Sequence, residues 1–124
     1  MAINQRRSVT KETGASYNTD RKKRKAELGR PASLTKIGEN KVKKIRTVGG
    51  NSKSRALQYS NIIIMDGKKK IAAKIIRVVE NDSNRHYVRM NVMTKGAIIE
   101  TDKGKVKITS RPGQTGQIQG ILVK

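Results

Sequence analysis

The apolar residues of this chain concentrate in its second half, where they recur with the period of strands. Residues 56–65 read as one strand, and Asp66-Gly67 after them is a two-residue hairpin signal. Residues 70–80 return with Ile71, Ala73, Ile75, Ile76, Val78 and Val79, a β-branched density that predicts a strand with a bulge. Residues 81–84 are a turn. Residues 85–93 alternate, with His86, Val88, Met90 and Val92 on one face and Arg85, Tyr87, Arg89 and Asn91 on the other, and so predict another strand. Turns at 94–96 and 102–104 flank a strand at 97–101. Residues 105–110 then place Val106 and Ile108 inward with Lys105 and Lys107 outward. A loop at 111–116 leads to a last strand at 117–123, where Ile118, Gly120 and Leu122 share a face.

The first part of the chain has a different pattern. Residues 1–19 are polar, and we expect them to be disordered in the free protein. Residues 21–28 are compatible with two helical turns, N-capped from within Asn18-Thr19-Asp20 and supported by Asp20–Arg24 and Lys23–Glu27 pairs. Gly29 and Pro31 end that helix, which has no apolar stripe. Residues 31–40 read as loop, with a turn at Gly38. In residues 41–48 the spacing of Val42, Ile45 and Val48 fits helix or strand, and β-branching favours strand. Gly49-Gly50-Asn51 is a turn whose amides are suited to an anion.

About seven short strands with regular turns predict a mainly β fold, a small antiparallel β-barrel or sandwich. Ahead of it stands a long basic N-terminal extension containing at most one short helix. The expected division is an extension at 1–40 and a β body at 41–124.

Composition narrows the function. Net charge is +20, from 29 Lys+Arg against 9 Asp+Glu in 124 residues, a field that attracts phosphate backbones. Residues 1–55 hold 16 of those cations and only 4 of the acids. Phe and Trp are absent and Tyr occurs three times, so a platform that stacks single-stranded bases is not expected. The core must come from Ile, Val, Leu and Met. Cys is absent, which excludes disulfides and thiolate chemistry. The longest apolar run is residues 62–65, too short to span a membrane, and no signal-peptide h-region opens the sequence; a cytosolic protein is expected.

Catalytic constellations are not found. No G-x-x-x-x-G-K-[ST] string exists. His86 is the single His, on the apolar face of its expected strand, and suits packing or an RNA contact better than catalysis. Glu80 with Asp82, and Glu100 with Asp102, are carboxylate pairs that suit a divalent ion but fall in turns where Asp is common. No cofactor is expected. Two rival readings are a free basic nucleic-acid chaperone or chromatin-like protein, and a small metal-dependent nuclease.

Four strings carry a resemblance: KRKAELGRPA at 23–32 with TKIG at 35–38; RTVGGN at 46–51 with the KSRAL that follows; VVENDSNRHYVRMNVMTKGAIIET at 78–101; and TSRPGQTG at 109–116. On these the chain resembles the archaeal form of the archaeal/eukaryotic S-eight-e family of small-subunit (30S) ribosomal proteins, with Ala26 where the family usually has an aromatic residue. The resemblance implies a barrel with a basic extension that binds 16S-type ribosomal RNA, no enzymatic activity and a cytoplasmic location in the small subunit. Its implied partners are that RNA and neighbouring 30S proteins, with no membrane and no homo-oligomer. The implied RNA contacts are Arg21, Lys22, Lys23, Arg24, Lys25, Arg30, Lys36, Arg46, Gly49, Gly50, Asn51, Lys53 and Arg55, with Arg85, His86, Arg89 and Arg111 on the body.

Overall fold

A computed structural model describes residues 5, 7–18, 21–22, 24–67 and 69–123 of the chain. The chain divides into two compact units, Met1–Ala32 and Ser33–Lys124. Among the described residues there are eight strands: β1 Lys36–Ile37, β2 Lys41–Arg46, β3 Ser52–Tyr59, β4 Asn61–Asp66, β5 Lys69–Glu80, β6 Ile98–Thr101, β7 Gly104–Ile108 and β8 Gln119–Leu122. Two short helices, α1 Arg85–Arg89 and α2 Pro112–Thr115, lie between them.

Five strands close into a barrel in the order β4-β5-β6-β7-β8. The seams from β4 through to β8 are antiparallel, while β4 and β8 pair parallel through Ile63↔Gln119 and Ile64↔Gly120. The expected antiparallel barrel therefore holds at every seam except the closing one. The reason is parity: strands that reverse direction at each step leave the first and fifth pointing the same way.

Alternation fills this barrel. Ile62 and Ile64, Ile99, Val106 and Ile108, and Ile118 all point inward and are buried. Each such side chain contributes about 1.5–3 kcal/mol relative to exposure. In β5 the alternation slips after Ile75, leaving Ile76 exposed while Val78 is buried. The pairing with β6 shifts register there, so the bulge expected in this strand exists. Gly120 lets β8 sit tight between β7 and β4. A Cβ at that position would stand 2.6 Å from the Lys107 carbonyl oxygen and 3.1 Å from Ile62 Cδ1.

The strands β1-β3-β2 form a separate sheet with β3 in the centre. The single strand expected at 56–65 is thus two strands broken at Ser60. The Ser60 amide donates to Asn40 Oδ1 at 3.0 Å, and its carbonyl accepts from the Ile75 amide at 2.9 Å. One run of chain serves two sheets, and the break lets it change direction between them. The loop expected at 31–40 likewise contains β1, which pairs parallel with the end of β3 through Lys36↔Gln58 and Ile37↔Tyr59.

Residues 85–93 are not a strand. Asn84 caps α1, its Oδ1 accepting from the His86 amide at 2.9 Å. The helix ends at Met90, and Asn91 turns the chain at φ 50°. Capping decides here over a period-two pattern of modest side chains, so His86 is exposed on a helix and not packed on an apolar face. Buried Asn81 fixes the return: its Nδ2 donates to the Val92 carbonyl at 3.1 Å, and its Oδ1 accepts from Thr94 Oγ1 and the Ser83 amide. The loop expected at 111–116 contains α2, with Pro112 in its first turn and Gly116 left-handed at φ 73°.

In the first unit the helix expected at 21–28 is reduced to a 3-10 turn at Lys25–Glu27. Without an apolar stripe nothing drives further turns. The Glu27 carboxylate holds this one, accepting from the Arg24 amide at 3.1 Å and pairing with the Arg21 guanidinium. The expected pairs Asp20–Arg24 and Lys23–Glu27 involve Asp20 and Lys23, which lie outside the described residues. A tight turn at Lys11–Ala15 brings Thr10 opposite Ser16 and sets the Arg7 guanidinium 4.1 Å from the Tyr17 ring centre.

Candidate RNA interface

The β2–β3 ribbon is cationic and little buried. From Asn40 to Met65 there are six Lys or Arg and no Asp or Glu. No residue of β2 is buried, and only Ala56 is buried in β3. The register sets Lys43 opposite Arg55, Lys44 opposite Ser54, Ile45 opposite Lys53 and Arg46 opposite Ser52. Opposed residues share a face, so Lys43, Arg55 and Lys53 project on one side and Lys44 and Arg46 on the other. The Lys43/Arg55 juxtaposition is a like-charge pair, which costs the free sheet roughly a few tenths of a kcal/mol.

The hairpin turns at Val48–Gly50, where Gly49 and Gly50 have φ 76° and 75°. Those conformations are why both positions are glycine. The Thr47 amide donates to the Asn51 carbonyl at 2.7 Å, and Asn51 Nδ2 donates to the Val48 carbonyl at 3.2 Å. The tip is therefore closed by its own backbone.

Helix α2 packs on β3 and brings Arg111 to the ribbon. Gly116 makes the approach possible: a Cβ there would lie 2.7 Å from Ser54 Cβ and 3.1 Å from Val42 Cγ1. Gly113 sits as closely against the Ser33 hydroxyl. The Arg111 carbonyl accepts from the Gln114 amide, the Thr115 amide and Thr115 Oγ1, which fixes its backbone while its side chain stays exposed. On the other flank, the Thr35 carbonyl accepts from the Met93 amide at 2.8 Å and Thr35 Oγ1 donates to the Ala56 carbonyl at 2.7 Å. That ties β1 and the exit from α1 to β3.

The second unit thus gathers Lys36, Arg46, Gly49, Gly50, Asn51, Lys53 and Arg55 on one small sheet, with Arg111 on the helix against it. Arg85, His86 and Arg89 are exposed together on α1. In the first unit Lys22, Arg24, Lys25 and Arg30 are exposed and Arg21 is half-buried in its ion pair; Lys23 lies outside the described residues. Sequence reasoning passed over Lys41, Lys43 and Lys44. Their signal was the KVKK run itself, which becomes a cationic strand once the register with β3 is known.

The four strings that carried the resemblance now have places. RTVGGN is the hairpin tip, KSRAL is β3, TSRPGQTG is the α2 segment docked on it, and the long string runs from β5 through α1 into β6. The model of the family described as ribosomal protein S8e matches residues 4–123. The chain belongs to the ribosomal protein S8e family. Relatives include the small ribosomal subunit protein eS8 of Nanoarchaeum equitans, 51% identical over 114 residues covering 90% of each chain. The protein of the same description from Methanobrevibacter smithii is 46% identical over 126 residues, covering 99% of this chain and all of its own. That of Haloarcula marismortui is 44% identical over 120 residues, covering 97% and 98%.

Both members of one carboxylate pair of this S8e chain have partners of their own. Glu100 pairs with Arg77 at 2.5 Å, and Asp102 accepts from the Lys74 amide at 3.0 Å. Among the described residues no three His, Cys, Asp or Glu are grouped to hold a metal ion. No described helix is long and apolar enough to cross a membrane.

Proposed function

We propose that this chain is a structural constituent of the small ribosomal subunit, residing in the cytoplasm within that particle. It binds folded 16S-type ribosomal RNA, and no cofactor or catalytic step enters the reading. The observation that carries it is near-full-length similarity to proteins described as small ribosomal subunit protein eS8, at 44–51% identity. The acid-free ribbon supports the phosphate-binding part. Its cations neutralise phosphates where RNA strands approach one another, and the nest of amides at Gly49-Gly50-Asn51 accepts a further anion. Residues 1–40 act as a basic extension that orders on the RNA, and residues 41–124 as the body that anchors it. Arg21, Lys22, Lys23, Arg24, Lys25, Arg30 and Lys36 are its phosphate contacts, joined from the body by Arg85, His86, Arg89 and Arg111. Neighbouring 30S proteins complete its surroundings, and it enters the particle as a single copy.

The experiment is reconstitution. Tagged chain is added to archaeal small subunits, which are then sedimented through high salt. Retention at one copy per subunit is expected. Loss of the chain to the supernatant, with binding to unrelated RNAs of equal strength, is the result that overturns the reading and leaves a free basic chaperone. Replacing Arg21, Lys22 and Arg24 by Ala should flatten the salt slope of rRNA binding by roughly 2–3 units. An unchanged slope would show that the run touches no phosphate.

A further inference from the structure

The tip of the β2–β3 ribbon carries Val48, which at 95% exposure is the most exposed large apolar side chain among the described residues. It is presented by a closed turn, between the Thr47–Asn51 backbone bond and the left-handed Gly49. The space at Gly50 beside it is open, with nothing within 4 Å of where a Cβ would be. Cations surround it in sequence on both strands, and no acid stands nearer than Glu39 and Asp66.

We infer that Val48 packs on the face of an unpaired base, so that the ribbon ends at a bulge, loop or helix end of the RNA. This rests on the ribosomal reading. An isopropyl group gains nothing from a phosphate. The grooves of a continuous A-form duplex offer phosphates, 2′-hydroxyls and base edges, with the apolar base faces stacked out of reach. Those faces become available only where pairing stops. The cations Arg46 and Lys53 at the base of the tip hold it against the backbone, and phosphate contacts of that kind position without reading. Val48 supplies the apolar contact that tells a junction from a duplex. The charge of the ribbon selects RNA over a protein neighbour as the occupant.

The test uses the full chain and its V48A variant. Two probes are used, a transcript of archaeal small-subunit rRNA and a continuous RNA duplex. Both proteins should melt at the same temperature, since the side chain is exposed. On the transcript V48A should bind roughly tenfold more weakly, because the two methyl groups that would cover the base are gone. Its salt slope should match that of the parent, and the two proteins should bind the duplex equally. A photoreactive residue at position 48 in reconstituted subunits should crosslink to an unpaired nucleotide. Equal affinity of V48A and parent for the transcript, an equal loss on the duplex, or a crosslink to a protein each overturns the inference alone. Failure of the parent to prefer the transcript to the duplex overturns the ribosomal reading as well.

Discussion

The barrel and the β2–β3 ribbon belong to one compact unit and are both made of strands, yet they are specified differently. Every barrel strand buries at least one residue, and its alternation decides which way it faces. β2 buries none. A slip of one residue in the barrel would move Ile62 and Ile64 into water. The same slip in the ribbon would exchange one set of cations for another. The ribbon's register is set instead by its glycine turn and by the close seat of α2 at Gly116. The barrel is stabilised by what it encloses, whereas the ribbon sets Lys43 opposite Arg55 on a sheet that buries little.

The largest effect should come from opening the barrel. Ile64→Ala removes a fully buried side chain and should cost about 3–4 kcal/mol in chemical denaturation. The RNA affinity of the folded fraction should stay within about twofold of the parent. A comparable loss of affinity would mean that barrel and ribbon do not divide the work this way.

Gly116→Val comes next. It combines φ 73° with a Cβ 2.7 Å from Ser54 Cβ, so α2 should lift from the ribbon. We expect a loss of roughly 2–3 kcal/mol together with weaker RNA binding. Denaturation and binding curves that both match the parent would show that this contact is not what seats Arg111.

Charge should separate the regions most clearly. Replacing Lys43, Lys44 and Lys53 by Ala should leave stability within about 0.5 kcal/mol, because all three are exposed. The slope of log affinity against log salt should flatten by roughly 2–3 units. The matched control replaces Lys69, Lys70 and Lys74 on β5, and a slope change as large there would dissolve the distinction between the two surfaces.

The smallest effect is expected at the tip. Gly50→Ala meets open space but must keep φ 75°, so its cost is conformational, about 1 kcal/mol. A variant as stable as the parent would mean that the turn relaxes to another conformation.

Much of this was legible in residue order. Inward Val106 and Ile108, the bulge in 70–80, the hairpin after Asp66 and the glycine turn at 49–51 all follow from local pattern, because period and turn chemistry act over a few residues. So does the basic character of the surface, since charge is a property of composition. The four strings that carried the family resemblance were equally plain.

Tertiary structure decided the rest. It split residues 56–65 between two sheets, because only the positions of Asn40 and Ile75 show where Ser60 must turn. It made residues 85–89 a helix, because the Asn84 cap and the anchoring of Asn81 to Val92 outweigh an alternation that no partner strand uses. It made one barrel seam parallel, by the parity of five strands. It set Lys43 and Lys44 on an exposed strand and packed α2, which follows Arg111, against β3, although strands β4 to β7 lie between those two elements in sequence. Contacts at that separation depend on register and close approach, which no local pattern encodes.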